Sequence, residues 1–455
     1  MGFNPLQEKG MPVERQLRNW SELNTQPFDK NAVDPYTRCR VIVMNGIEVE
    51  AIFHSHQFSR HCPDMDVRRQ LAMLRRVEAQ QQKAVNWLLP GDPSPLETTI
   101  AYEQVAVDLT AYLARMEPDP YVRQCLDFGL LEDFDHLYRY ANLLDLLDGK
   151  MAEKLTDQLT SLVSGNLAEK VVKGQTEITP GRPTVVEHRH PFDDVRRPTD
   201  CKTSNPLTSL HILTITAAEQ QTMNFYMNAG NMPDNPLARA LYQEIAMIEE
   251  QHVSHYESLM DPTMSWYLGE VLHQYNECYM YHSFMSQEPD RRIRQLWELH
   301  LDMEIGQLQA ACELMRQAEN RDPAEFLPKE LPAPTLFEEN KAYVRQVLES
   351  QINLSANGAD FVPVDQLPED HRYFQYQSAV NAGKWVPSEA VIDQRCREHG
   401  GKDYRLETEG PNPVDWLQAE SYGRSDKRSS DRAARQAVSG ASYYRKASLA
   451  AAGSK

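Results

Sequence analysis

No run of 18 or more apolar residues occurs in the 455-residue chain, which excludes a membrane-spanning helix. The opening MGFNPLQEKG lacks a basic-then-apolar signal pattern, and Leu6 stands where a myristoylation motif wants Ser or Thr. The seven cysteines (Cys39, Cys62, Cys125, Cys201, Cys278, Cys312 and Cys396) form no CxxC pair. That excludes a rubredoxin-like or zinc-ribbon module and predicts reduced thiols in a cytoplasmic protein. Walker, GxGxxG, HExxH and GxSxG motifs are all absent, so nucleotide-dependent, zincin and serine-hydrolase chemistries have no support. Basic charge is in deficit. Lys and Arg total 47 against 66 Asp and Glu, a net charge of −19. A surface of that sign repels nucleic acid and anionic membranes, so neither is an expected partner.

The chain has the makings of a large helical protein. Apolar residues are 41 % and charged residues 25 %, ordinary globular usage. Residues 38–58 read as a β-hairpin, because two β-branched runs flank Asn45-Gly46, a favoured tight-turn pair. Helical patterns follow at about 66–89, 96–116, 120–148 and 151–172. A proline-rich, charged connection spans 173–205, and helices resume at about 207–229, 236–260, 264–286, 289–318 and 336–355. The expected organisation is an N-terminal extension with the hairpin (1–65), a helical domain (66–318), a helical and irregular extension (319–423) and a flexible basic tail (424–455). The tail's eight basic and two acidic side chains lie among Ser, Ala and Gly. The aromatic- and Met-dense stretch 264–285 suits a core stripe, a homodimer interface or the wall of an apolar substrate pocket.

An internal repeat carries the chemistry. Residues 98–140 align without gaps on 214–256, at an offset of 116. Nine of the 43 pairs are identical: Thr98/Thr214, Ala101/Ala217, Glu103/Glu219, Gln104/Gln220, Met116/Met232, Pro120/Pro236, Arg123/Arg239, His136/His252 and Tyr140/Tyr256. Asp133 matches Glu249, each three residues before its His, so acid and imidazole share a helix face. Thirty residues separate Glu103 from Asp133 and Glu219 from Glu249. Two antiparallel helix pairs would bring these positions to one level. The inward set is then Glu103, Asp133, His136, Glu219, Glu249 and His252. Four carboxylates and two imidazoles suit two iron ions, or iron with manganese. A bland alternative is a duplicated hairpin with Glu and His on its surface. Another joins Glu219, Glu249 and His252 to Glu277 and Glu304. Glu270/His273 repeats the acid-x-x-His spacing but has no Glu thirty residues upstream.

The pattern of Glu followed by Glu-x-x-His, repeated once, resembles the ferritin-like di-iron carboxylate superfamily over roughly residues 98–256. The resemblance implies a four-helix bundle in which 173–205 is the long crossover. It implies Glu103 and Glu219 as single-carboxylate ligands, with Asp133/His136 and Glu249/His252 as the paired ones. Asp133 departs from the usual Glu, and its shorter reach makes the two metal positions unequal. Tyr140 and Tyr256, one turn beyond each His, are candidate redox neighbours. Asp135, Arg139, Gln251 and His255 are candidate groups to orient ligands. The expected function is activation of O₂ or peroxide to oxidise a small organic substrate by hydroxylation, desaturation or amine oxidation. A separate electron donor is required, since no redox module is visible. Metal handling or peroxide detoxification without an organic substrate is the alternative, and a non-catalytic interaction protein is a second.

Overall fold

In a computed structural model, described at residues 2–150, 152, 189–338, 340–351, 354–382, 386–398 and 400, the chain is mainly helical. Eight long helices form four hairpins: α1 (Pro35–His61) with α2 (Met65–Asn86), α3 (Pro95–Met116) with α4 (Pro120–Asp148), α5 (Pro206–Ala229) with α6 (Pro236–Glu257), and α7 (Trp266–Gln287) with α8 (Arg291–Glu319). Their starts are set by local chemistry. Asp34, Ser94, Asp119, Asn205 and Asn235 cap backbone N–H groups, and each is followed by a proline in the first helical position. Ser94 and Glu97 complete a capping box. Gly149 and Asn320, both left-handed, end α4 and α8. The links within hairpins are too short to permit anything but antiparallel neighbours.

The hairpins combine in pairs. Helices α3, α4, α6 and α5 touch in a closed ring, and α1, α2, α8 and α7 close a second ring. Helices α1 and α5 join the two, and a single apolar core runs through all eight. After α8 come α9 (Lys341–Gln351), strands β1 (Leu354–Asn357) and β2 (Asp360–Pro363), α10 (Arg372–Val380) and α11 (Pro387–Glu398). Helix α9 packs on α4, and α11 packs on α4 and α6, so the outside of the first ring is covered. That covering explains why α3 and α4 are buried almost all round rather than on one stripe. No described helix is long and apolar enough to cross a membrane.

The expected β-hairpin at 38–58 is corrected: those residues lie inside α1. β-branched residues cost a helix only about 0.5 kcal/mol each, and α1 touches α2, α3, α5 and α7. Residues 39–48 are continuously buried, so packing decides. Asn45-Gly46 serves contact between helices instead of a turn. The Asn45 amide donates to Gln221 Oε1 at 2.9 Å. A Cβ on Gly46 would stand 2.8 Å from Gln221 Oε1 and 3.1 Å from the Ala217 carbonyl, so the glycine permits the close approach of α1 to α5. The expected helix at 151–172 apart from residue 152, residues 173–188 of the connection and the tail at 424–455 lie outside the described residues.

Candidate metal centre

All six residues of the repeat meet in the first ring, each at most 1 % exposed. They divide into two triads, Glu103/His136/Glu249 and Asp133/Glu219/His252, each offering donor atoms within 4.8 Å of one another. Each triad draws on three helices and mixes both copies of the repeat. Glu249 reaches both sides: its Oε1 is 2.9 Å from His136 Nδ1, and its Oε2 is 3.3 Å from His252 Nδ1. His252 Nδ1 also lies 3.3 Å from Asp133 Oδ1 and 3.4 Å from Glu219 Oε2. The imidazole rings stand 5.5 Å apart, nearly parallel.

The donor set fits cations. Glu103 Oε2, Asp133 Oδ1, Glu219 Oε1, both Glu249 oxygens and both His136 nitrogens are buried without a hydrogen-bond partner, an expensive arrangement for a purely structural core. Burial, reinforced by neighbouring carboxylates, pushes the Glu103 and Asp133 carboxyls well above the usual range. Burial takes Glu219 up to about 7 despite His252. Burial also acts to raise Glu249, but His136 and His252 more than offset it and pull it down to about 2. Two divalent cations would balance the four carboxylates and remove the repulsion among them.

Outer contacts fix the geometry. His252 Nε2 donates to Glu132 Oε2 at 2.9 Å. Glu132 in turn accepts from Arg189 Nη1 at 2.5 Å, and Arg189 Nε donates to Asp194 Oδ1 at 2.8 Å. Burial opposes ionisation of Glu132, but Arg189 and His252 hold it far below the usual carboxylate range. Burial opposes charge on the His252 ring, but Glu219, Glu132 and Glu249 raise its pKa well above the usual value; with Nε2 committed to Glu132, a bound cation would take Nδ1 in place of its proton. His136 has no such backing, because its Nε2 makes no hydrogen bond. The repeat places Ile248 opposite Glu132, so the two positions differ in outer support as well as in Asp133. Replacing Glu132 with Gln is expected to weaken metal binding at the His252 position by about 10–100-fold and to leave the His136 position nearly unchanged. Calorimetric titration of chelator-stripped protein would resolve the two steps, and an equal loss at both would contradict the asymmetry.

Tyr226, unremarked in the sequence, is the tyrosine that touches a donor: its hydroxyl gives a 2.5 Å hydrogen bond to Glu103 Oε1. Tyr140 packs 5.1 Å from the Tyr226 ring, and Tyr256 lies edge-on to His252 at 6.4 Å. Both of their hydroxyls are buried without a partner. Thr110 Oγ1 donates to Asp133 Oδ2 at 3.3 Å. Among the other sequence candidates, Gln251 donates to the Arg189 carbonyl at 3.1 Å and so supports the Glu132 arm. His255 Nε2 sits 3.3 Å from the Cys125 carbonyl, and Asp135 pairs with Arg139 at 3.3 Å. Glu277 and Glu304 do not join Glu219. They adjoin Glu78 and each other in the second ring. Glu270 Oε2 lies 3.8 Å from His54 Nε2. Neither Glu132 nor Arg189 carried a sequence signal, since Arg189 lies in the proline-rich connection, outside any periodic pattern. No family model, curated protein or solved structure matches the chain.

Proposed function

We propose that the first ring is a ferritin-like four-helix bundle holding two iron ions, or iron with manganese, and that the protein is a di-metal carboxylate oxidoreductase acting on an organic substrate. The observation that carries this reading is the pair of triads joined through Glu249, whose buried oxygens accept no hydrogen bond. Such a metal pair supplies the redox chemistry toward O₂ or peroxide. The side chains do the rest. Glu249, which stands against both imidazoles, would help hold both ions. His136 and His252 would each hold one. Glu132 and Arg189 orient the His252 ring through its Nε2. Tyr226, whose phenol burial keeps protonated, donates to Glu103 and fixes its carboxylate. The surrounding apolar core excludes water. Electrons would come from a separate protein.

Metal handling or peroxide detoxification without an organic substrate is the second reading. The burial of all six donors favours it, since a centre at most 1 % exposed admits small reactants most readily. One experiment tests the metal assignment and separates the two readings. Protein purified without chelator is analysed for metals, then loaded with iron under argon and exposed to O₂ with optical monitoring. Two iron ions per chain and an absorbance change on oxygen exposure are expected, with metal content falling sharply in His136→Ala/His252→Ala. Unchanged stoichiometry in that variant would overturn the assignment. Repeated oxygen turnover sustained by excess Fe²⁺ as the electron source, with no organic substrate present, would favour the second reading.

A further inference from the structure

The second ring is built on the same plan. Glu48 lies on α1, Glu78 on α2, Glu277 on α7 and Glu304 on α8, so each hairpin gives one acid from each of its helices, as in the first ring. Thirty residues separate Glu48 from Glu78, the interval found in the second and third hairpins, and 27 separate Glu277 from Glu304. Three residues beyond Glu78 and Glu304, where the first ring has His136 and His252, stand Gln81 and Gln307. Both rings therefore repeat one scheme of acid, then acid-x-x-donor, with imidazole in one and carboxamide in the other.

The geometry brings these groups to one point. Glu48, Glu78 and Glu277 offer oxygens within 4.8 Å of one another. Burial raises the Glu277 carboxyl, and Glu304 adjoins it closely enough to raise it further. All four glutamates are at most 1 % exposed. Tyr281 donates to Glu48 Oε1, Gln274 Nε2 donates to Glu78 Oε1 at 2.8 Å, and Gln81 and Gln307 donate to Glu304 Oε1, the latter at 3.1 Å. Each of these three carboxylates is thereby fixed by one oxygen, and its other oxygen has no donor. Glu277 has none on either oxygen. Among the described residues no ion pair joins any of the four to a lysine or arginine, in contrast to Glu132 with Arg189.

We propose that Glu48, Glu78 and Glu277, with Glu304 Oε2 as a fourth oxygen, form a second cation site, which takes one hard divalent ion such as Mn²⁺ or Mg²⁺. Oxygens on opposite sides of such an ion, at about 2.0–2.6 Å each, stand some 4–5 Å apart, and those of Glu48, Glu78 and Glu277 lie within 4.8 Å of one another. A donor set of oxygen alone, without imidazole or thiolate, selects the hard end of the divalent series. The ion compensates the carboxylates that no side-chain cation neutralises. The inference does not depend on the redox role of the first ring.

The test uses the full chain stripped by chelator and titrated with Mn²⁺, the free ion being read by electron paramagnetic resonance. Glu277→Gln, close to isosteric, is expected to bind one equivalent less than the wild type, and excess Mg²⁺ is expected to displace that same equivalent. Crystals of the wild-type protein soaked in Mn²⁺ should give an anomalous peak between Glu48, Glu78 and Glu277, a readout that survives any folding defect in the variant. Gln307→His adds an imidazole at the position corresponding to His252, so the visible d–d bands of Co²⁺ bound there should shift and change intensity relative to the wild type. Equal Mn²⁺ stoichiometry in wild type and Glu277→Gln, or wild-type crystals without the peak, would overturn the site. The first ring is scored separately by its own peak beside Glu249.

Discussion

Replacing Glu249 with alanine is expected to empty both metal positions of the first ring at once, a larger effect than any other single substitution there. The side chain is 1 % exposed and divides its oxygens between the rings of His136 and His252, at 2.9 and 3.3 Å. Its loss removes the carboxylate of one triad that also stands against the imidazole of the other. Glu103→Ala deletes a donor from one triad only and should leave an ion beside His252. Metal at a hundredfold excess over its dissociation constant stabilises the folded chain by about 2.7 kcal/mol per site. That increment should vanish in Glu249→Ala, whereas the metal-free melting temperature should change much less. There, lost attraction to the two imidazoles is offset by relief from Glu103, Asp133 and Glu219. Elemental analysis paired with thermal melts, with and without added iron, checks both halves. A Glu249→Ala protein that still carries two ions would show that the carboxylate does not span them.

Glu288→Ala is expected to destabilise the protein by about 3 kcal/mol, the low end of what breaking a buried ion pair costs. Glu288 ends α7 and is 1 % exposed. It accepts from Arg40 Nε at 2.9 Å and from Thr37 Oγ1 at 3.0 Å, both near the start of α1. Removing it strands a guanidinium that is 2 % exposed, and the one remaining carboxylate, Asp34, lies at 3.2 Å and is partly solvated. Urea unfolding followed by far-ultraviolet circular dichroism measures the loss. Glu288→Leu with Arg40→Met should recover part of it, because an apolar pair leaves no charge unpaired. A change under about 0.5 kcal/mol, the range of an ordinary surface substitution, would mean that α1 is not anchored there.

The sequence displayed helices α3 to α8 clearly, with starts within about two residues, because Pro after Asn, Asp or Ser marks most of them. It misrepresented α1. Val41, Ile42, Val43 and Ile47 look like strand residues only when their neighbours are unknown, and Asn45-Gly46 looks like a turn for the same reason. The same dipeptide at Asn357-Gly358 does make a turn. Gly358 has φ +59° and links β1 to β2, with Asn357 paired to Asp360. Local preference therefore could not separate the two cases, and burial did. The six donors of the first ring were legible as a group because their hairpins align without a gap. The second set of acids was not legible. Reading α1 as strands removed Glu48, and the shortened interval between Glu277 and Glu304 breaks any fixed offset. Glu132, Arg189 and Tyr226 act through three-dimensional contacts alone and leave no periodic trace.

The pairing of the first hairpin with the fourth, around the second and third, nests one bundle inside the other along the chain. During synthesis the inner pair can assemble once residue 257 has emerged. The outer pair cannot close until α8, ending at Glu319, is out. At about 5–20 residues per second, the α1/α2 hairpin waits roughly 10–50 seconds after its own completion with its apolar face and its glutamates uncovered. The ring assembled last is thus the one whose earliest-made half is longest exposed to chaperones and proteases. Truncation before α7 would leave Glu48 and Glu78 without the hairpin that completes their ring.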